Sequence, residues 1–447
     1  MVMTNGRRIA VFDVGLPPGV AFLRSLGAAG VDVTAYASSG LAPGRFSRYG
    51  RRFRRAPPVD MIDQFVDWLT AEMGAGRIDL VAPTSDFVVY AAAEAYERVG
   101  VSAPTGLAPR AALHDCLYKD RFADVMARAG LPTPPTAAPT TLDEAIGAAE
   151  AFGYPVVLKP RTHVGLVRTR GQVIRSIDEL RLAFEPYALH GRSRGAPRED
   201  PAVALPLLQA YLGRAGNDVV SVSGCLAPDG ATLAVAHSRK LQQWPGPLGV
   251  GTMFEALPDQ PYTERALRAV RVALGAGLFE LELLVCRSSG EVWPIDLNPR
   301  AYGQVSLAMA HGWDLPRLWY SSVCDADLRP ATAPVRRPRY WRYGLPYYSR
   351  VGFDLLRGPH RRAAAQALVE SIRQHHAGAM FDWRDPLPAL VFGFGGLRHP
   401  GGLLRPLLAE QREGTGGPRV THAARAVIGM SVAAGLGELV AQAGSPR

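Results

Sequence analysis

Apolar positions in the first hundred residues follow two rhythms in turn. Residues 9–14, 31–35 and 79–83 are short, nearly unbroken apolar runs, the signature of buried strands. Between them the spacing widens to three or four. One helix is expected to end near residue 29, and a second spans 60–73 with Ile62, Phe65, Val66 and Leu69 on one face. A third runs from Thr84-Ser85-Asp86 to Arg98. Strands and helices in strict alternation predict a parallel sheet covered by helices. The first turn, Gly15-Leu16-Pro17-Pro18-Gly19, lacks the G-x-G-x-x-G spacing and holds two prolines, which argues against a dinucleotide there. Thr84-Ser85-Asp86 follows the carboxyl end of a strand, where α/β sheets place ligands. It also suits a helix N-cap, the preferred reading.

The pattern then changes. A helix is expected over 111–129, followed by the stiff segment Leu131-Pro132-Thr133-Pro134-Pro135-Thr136, which reads as a connection between domains. Thr141-Leu142-Asp143-Glu144 and Ser176-Ile177-Asp178-Glu179 fit the capping box, so helices begin near 142 and 177. Between them Tyr154-Pro155-Val156-Val157-Leu158-Lys159-Pro160 reads as a strand. Strand signals dominate residues 203–256, including a strand over 232–237, and a helix follows over 263–275. Residues 279–286 and 292–298 form a hairpin closed by Arg287-Ser288-Ser289-Gly290.

Composition adds little except in its cations. The 447 residues are 47% hydrophobic and 20% charged, as in a soluble protein of several domains. Cys116, Cys225, Cys286 and Cys324 are widely spaced, which fits a reducing cytoplasm better than a zinc site or disulfide framework. No signal peptide is read at the start, and residues 426–441 are too short and weakly apolar to span a bilayer. Of the net charge of +10, residues 331–447 carry +9, so the last quarter reads as a separate basic unit. Only three of the 50 Lys+Arg residues are lysines: Lys119, Lys159 and Lys240. Lysine is a compact point charge on a thin stem, suited to reaching phosphates, whereas arginine is a wide fork.

The hairpin carries the strongest chemistry. Side chains on a strand alternate, so Glu280 and Glu282 share one face, as do Asp296 and Asn298 on the next strand. Carboxylates and an amide oxygen together make a hard oxygen set of the kind magnesium takes beside nucleotide phosphates.

Lys119 in an early helix, the strand ending in Lys159, and Glu282 with Asp296-Leu297-Asn298-Pro299-Arg300 together resemble the ATP-grasp superfamily. The likeness is to the branch holding carboxylate–amine ligases and carbamoyl-phosphate-synthase-like domains, and it covers residues 7–330. It implies an α/β N-terminal domain (1–105), an α+β ATP-grasp domain (106–330) whose two subdomains clamp ATP, and a basic C-terminal region (331–447). By the same resemblance Lys119 and Lys159 contact ATP phosphates, and Gln209, Ala210, Tyr211 and Leu212 meet the adenine edge. Glu282, Asp296 and Asn298 hold Mg2+, with Glu280 close by, and Arg300 neutralises the transferring phosphoryl group. Lys240 is assigned a catalytic position facing the phosphates, with Arg239 an equal candidate, since on a strand only one of the two can face the cleft.

The resemblance implies a cytoplasmic ADP-forming ligase that activates a carboxylate as an acyl-phosphate and joins it to an amine. Several positions depart from the family. The loop after Lys159 is poor in glycine, so Arg161, His163 and Arg168 would replace backbone contacts to phosphate. Ala210 stands where an acid is usual, Tyr118 where an Asp is usual before the first lysine, and Asp296 where Glu is commoner. An ATP-binding sensor or scaffold, and phosphoryl transfer to a non-amine acceptor, are the alternatives. Val335 to Tyr343 mixes arginines and aromatics; packing against the core is preferred over nucleic acid, which is not expected, and peripheral membrane contact by this region stays open.

Overall fold

The computed structural model describes residues 7–101, 104–164, 171–190, 205–213, 216–244, 248–324, 337–357, 361–373 and 376–398. Four parallel strands lead the chain: β1 (Ile9–Val11), β2 (Val33–Ala37), β3 (Arg52–Arg55) and β4 (Leu80–Val81), in the order β3-β2-β1-β4. Helices α1 (Pro17–Ala28), α2 (Ile62–Gly74) and α3 (Asp86–Val99) cover the sheet. Strand alternation sorts the two layers. Ile9, Val11, Val33 and Ala35 pack on α1, whereas Ala10, Phe12 and Val81 pack on α2 and α3. The sequence pattern did not reveal β3, because Arg-Phe-Arg-Arg offers one apolar residue. It is an edge strand, where exposed arginines are at home. Ser85 is the N-cap of α3 and accepts from the Val88 amide at 3.3 Å.

The helix expected over 111–129 is two, α4 (Arg110–Leu117) and α5 (Lys119–Arg128), parted where Tyr118 becomes extended. The break leaves helix-start amides needing acceptors, and the Lys119 N–H donates to the Arg161 carbonyl at 2.8 Å. Next come β5 (Thr136–Ala137), α6 (Leu142–Phe152), β6 (Val156–Pro160), β7 (Gln172–Ile174), α7 (Ile177–His190) and β8 (Pro206–Ala210). These strands form an antiparallel sheet in the order β5-β8-β6-β7. Thr141 and Ser176 each cap their helix by accepting from the amide three residues on, at 3.2 Å, while Glu144 and Glu179 reach back to the amides of Thr140 and Arg175, one residue before each cap. Val156, Leu158 and Leu208 point to α6 and α7. Lys159 and Gln209, one residue on from Leu158 and Leu208, therefore share the open face.

The third sheet is built from β9 (Asn217–Leu226), β10 (Thr232–Trp244), β11 (Val250–Leu257), β12 (Gly277–Cys286) and β13 (Val292–Asn298), with helix α8 (Thr263–Ala273) between β11 and β12. Val220, Val222, Phe279, Leu281, Leu283 and Leu297 face α4, α5 and α8 in one apolar layer. β10 runs past the expected end at residue 237, so Lys240 lies within a strand and not after one. Helices α9 (Val305–Ala310) and α10 (Leu315–Cys324) follow and pack back against α1.

From residue 337 the described chain is joined to the third sheet. It supplies β14 (Tyr340–Arg342), α11 (Gly344–Arg357), α12 (Arg361–Arg373), β15 (His376–Gly378) and α13 (Leu387–Arg398). β14 pairs with β11 and β15 with β14, completing a seven-stranded sheet in the order β13-β12-β9-β10-β11-β14-β15. Trp341 packs with Val20, Phe254 and Leu307, and Arg339 reaches Glu255 at 2.7 Å. Over residues 337–343 the segment packs on the core as preferred, but of its arginines Arg339 is the one seen on an acid, Glu255, whereas Arg342 is buried beside His376; residues 335–336 and 426–441 lie outside the described residues. Asp385, fully buried, accepts from Arg24 Nε (2.9 Å), Ser47 Oγ (2.7 Å) and the Arg48 amide (2.9 Å), tying the last described segment to the first sheet's surroundings. No described helix is long and apolar enough to cross a membrane.

One close approach locks these parts together. Gly106, at φ +70°, accepts from Trp319 Nε1 at 2.9 Å, and a Cβ on it would overlap the indole. Gly106→Ala should lower the thermal midpoint and cost on the order of 2 kcal/mol or more. Gly100→Ala, at φ +66° with open space around it, should cost only the left-handed backbone term of about 1 kcal/mol. Equal losses in the two variants would show that the indole contact is unimportant.

Candidate active site

The floor is the hairpin β12–β13. Glu282 stands opposite Asp296 and Glu280 opposite Asn298, all on the face turned away from the apolar layer. Ser221 and Ser223 of β9 line up beside them, in register with Glu282 and Glu280. A bulge after Glu282 sets Leu283 against Pro294 and leaves Ile295 out of the pairing. Pro294 is tolerated because β13 is the sheet edge.

Three lysines converge on this floor from three elements. Lys119, at the start of α5, has Nζ 2.5 Å from Asp296 Oδ1. Lys240 of β10 holds both oxygens of Glu282, at 3.1 and 3.2 Å. Lys159 of β6 donates to Gln209 Oε1 at 3.0 Å and lies 3.5 Å from the Ile295 carbonyl in the bulge. Of the neighbouring pair, Lys240 faces the floor. Arg239 points to the other side of the sheet, where it meets Glu255 at 2.5 Å.

The charges are strongly coupled. Burial and the adjacent Lys119 ammonium pull Lys159 down to about 7. Burial works against ionisation of Asp296, yet the Lys119 and Lys159 charges hold it well below the usual carboxylate range. Burial and the Glu282 charge push Glu280 upward. Its oxygens are occupied by the Ser221 hydroxyl (2.9 Å), the Asn298 amide (3.0 Å) and the Gln304 amide. Glu282, facing Lys240, is the more accessible carboxylate for a bound cation.

Four expectations need correction or sharpening. Arg300 faces Asp86 of α3, with Nε 2.6 Å from Oδ1 and Nη2 3.2 Å from Oδ2. Its Nη2 also donates to Asn298 Oδ1 at 2.9 Å. The fork is thus engaged by protein groups and orients Asn298, which a rigid planar donor does well. Asp86 is the residue that sequence reasoning missed: the motif was noticed, but as a cap. Arg161 is no phosphate side chain, because it donates to the Ala138, Pro139 and Pro206 carbonyls. His163 does share the field of Lys119, Asp86, Asp296 and Arg300, while Arg168 lies outside the described residues. Finally, Gln209 spends its side chain on Lys159 and Thr136, and the Ala210 and Tyr211 amides bond the Pro135 and Pro155 carbonyls.

The donor set suits magnesium in kind: hard carboxylate and amide oxygens on one rigid strand face. Among the described residues no three His, Cys, Asp or Glu side chains form a ready cation cage. Lys119 and Lys240 stand on Asp296 and Glu282 instead.

The chain is similar in sequence and in fold to several known proteins. The family described as carbamoyl-phosphate synthase L chain, ATP binding domain, matches residues 118–186. The chain is 28% identical over 263 residues to the carbamoyl phosphate synthase large chain of Pyrococcus furiosus, covering 52% of this chain and 23% of that protein. It is likewise 28% identical over 303 residues to the formate-dependent phosphoribosylglycinamide formyltransferase of Burkholderia pseudomallei, covering 62% of this chain and 66% of the relative. The biotin carboxylase domain of the Hydrogenobacter thermophilus 2-oxoglutarate carboxylase, solved with MgADP, ADP and bicarbonate, superimposes with a TM-score of 0.56 at 17% identity, over 75% of this chain and 73% of that one. The chain therefore has the ATP-grasp fold, and the resemblance to the branch of carboxylate–amine ligases and carbamoyl-phosphate-synthase-like domains stands.

Breaking the Asp86–Arg300 pair should strand a partly buried charge. Asp86→Asn or Arg300→Gln alone should each cost about 2–4 kcal/mol in urea unfolding, and the double variant markedly less than their sum. Strict additivity would mean the pair is not coupled. Lys159 gives a pH signature. Its folded value lies below the unfolded one, so the cost of its charged form is full below pH 7 and is relieved as pH rises. The ligand-free protein should gain stability from this group between about pH 7 and 10, and Lys159→Met should flatten that rise.

Proposed function

We propose that the chain is an ADP-forming ligase that uses ATP and Mg2+ to join a carboxylate to an amine. The observation that carries this reading is the convergence of Lys119, Lys159 and Lys240 on the Glu282, Asp296 and Asn298 face, between two sheets. A triphosphate entering there would replace Asp296 and Glu282 as the partners of Lys119 and Lys240, and the Gln209 amide oxygen as the partner of Lys159; compact cations serve that exchange better than guanidinium forks. Glu282, Asp296 and Asn298 would hold the metal, which supplies charge neutralisation at the phosphates. Leu212 would read the base through its backbone.

In this scheme a substrate carboxylate oxygen attacks the γ-phosphorus and ADP departs, leaving an acyl-phosphate. An amine nitrogen then attacks the acyl carbon, inorganic phosphate leaves, and the nitrogen loses a proton. The protein's work is electrostatic. Lys119, Lys159 and Lys240 neutralise charge on the transferring oxygens, while Arg300, anchored by Asp86, fixes the amide of Asn298. The formyltransferase relative named above is formate-dependent, which supports a carboxylate as the activated group. The domain division at about residues 105 and 330, and a cytoplasmic location, are part of the same proposal, though β14 and β15 make the last region an integral cover of the third sheet.

A second reading is a nucleotide-binding sensor. The diversion of Arg161 to structural carbonyls favours it, since that removes one cation from the phosphate loop.

ADP release in the presence of paired carboxylates and amines tests the first reading against the second. Turnover should appear with at least one pair, and hydroxylamine should trap the acyl-phosphate. Lys159→Arg should lower kcat by roughly 100-fold, as expected when a charge-stabilising donor is misplaced. ATP binding with no ADP from any pair, or unchanged turnover in Lys159→Arg, would overturn the ligase assignment.

A further inference from the structure

A cavity of about 350 Å³ opens at the carboxyl ends of β1, β2 and β3, walled by apolar side chains including Phe12, Tyr36, Leu41 and Val59. Its size falls within the range of small-molecule sites. Among the described residues, the charged ones lining it are Asp13 and Asp60, both acidic, with no Lys, Arg or His. Arg45 and Arg55 lie close by on the same loops, but they are directed to the Gly40 and Ser38 carbonyls.

Asp13 is unusual in three ways. It adopts φ +51°, a left-handed conformation that Asp and Asn tolerate better than other side chains. Its Oδ2 is buried with no hydrogen-bond partner, while Ser85 bonds the carboxyl group. It also lies within electrostatic reach of Asp60, Asp86 and Arg300, which places the cavity beside the active-site arginine. Arg300, the cation in that field, is already bonded to Asp86 and Asn298, so Asp13 and Asp60 are left without a cation of their own at the cavity.

We infer that this cavity binds an organic ammonium ion with an apolar body, its charge answering Asp13 and Asp60. Given the ligase reading, on which this identification rests, the cation belongs to the amine substrate. The cavity is open in the nucleotide-free protein, so binding can be tested on its own.

The test uses the full chain without ATP and three probes of similar shape: 2-phenylethylamine, neutral 2-phenylethanol and anionic 3-phenylpropionate. Calorimetry should show the ammonium binding at least about tenfold more tightly than the alcohol, with the anion weakest. Asp13→Asn keeps a residue suited to positive φ and removes the charge. It should weaken the ammonium by about tenfold or more and leave the alcohol unchanged, with the thermal midpoint confirming a folded protein. Asp60→Asn should act in the same direction. Equal binding of all three probes, preference for the anion, binding of none, or no effect of Asp13→Asn would overturn the proposal. ADP release separates the two readings: ammonium binding without turnover for any amine retains the cavity and rejects the ligase, whereas turnover without selective binding does the reverse.

Discussion

A carboxylate-bearing strand face sunk between two sheets must be neutralised, and the arrangement of the protein follows from that constraint. Glu280, Glu282 and Asp296 cannot stay ionised in such surroundings without cations or donors close at hand. Helix α5 begins at Lys119, β6 ends beside Lys159, and β10 extends far enough to bring Lys240 across. Each element thus delivers one ammonium to the same floor. The neutralisation is the kind a polyanion with its metal can take over, because each ammonium sits at the end of a long flexible stem, Lys119 and Lys240 on carboxylates and Lys159 on the Gln209 amide oxygen.

Arginine does different work in this chain. Arg24, Arg300 and Arg339 are each locked to an Asp or Glu by more than one bond, joining elements distant in sequence, and Arg239 ties neighbouring strands through Glu255 and Asp218. Planar forks with several donors fix relative orientation, whereas lysines exchange partners more readily. The separation between three central lysines and the surrounding arginines therefore corresponds to a separation between adaptable and fixed contacts. Asp86–Arg300 is the fixed contact closest to the adaptable ones, and it passes the orientation of α3 to Asn298.

Features set by local rules were legible in the sequence. Strand–helix alternation, both helix caps, the hairpin and the shared face of its acids depend on neighbours within a few residues. What required the fold was the choice of partner across long separations. Asp86 and Arg300 are 214 residues apart, and no pattern in either segment announces the other. Arg161 looked like a loop cation because its neighbours resemble a phosphate loop, yet nearby proline-rich carbonyls needed donors and took it. The break at Tyr118 was hidden because apolar spacing continues across it. β14 escaped notice since three residues, Tyr340, Trp341 and Arg342, carry too little alternation to register as a strand. Arg239 and Lys240 were separable only in part: the sequence said that one must face inward, and the register of β10 selected which.

The position of Asp385 bears on the order in which the chain can become native during synthesis. The first sheet and α1 emerge early and can form their own apolar layers, but Arg24 and Ser47 then face water until residue 385 leaves the ribosome. The third sheet is likewise open at β11 until Tyr340–Arg342 arrives. Any nascent chain shorter than about this length presents an unpaired strand edge to its surroundings, a state prone to pairing with other chains. The β11 edge is thus closed by a segment of the same chain more than eighty residues further on, and until it arrives that edge is the exposed place where another chain could pair.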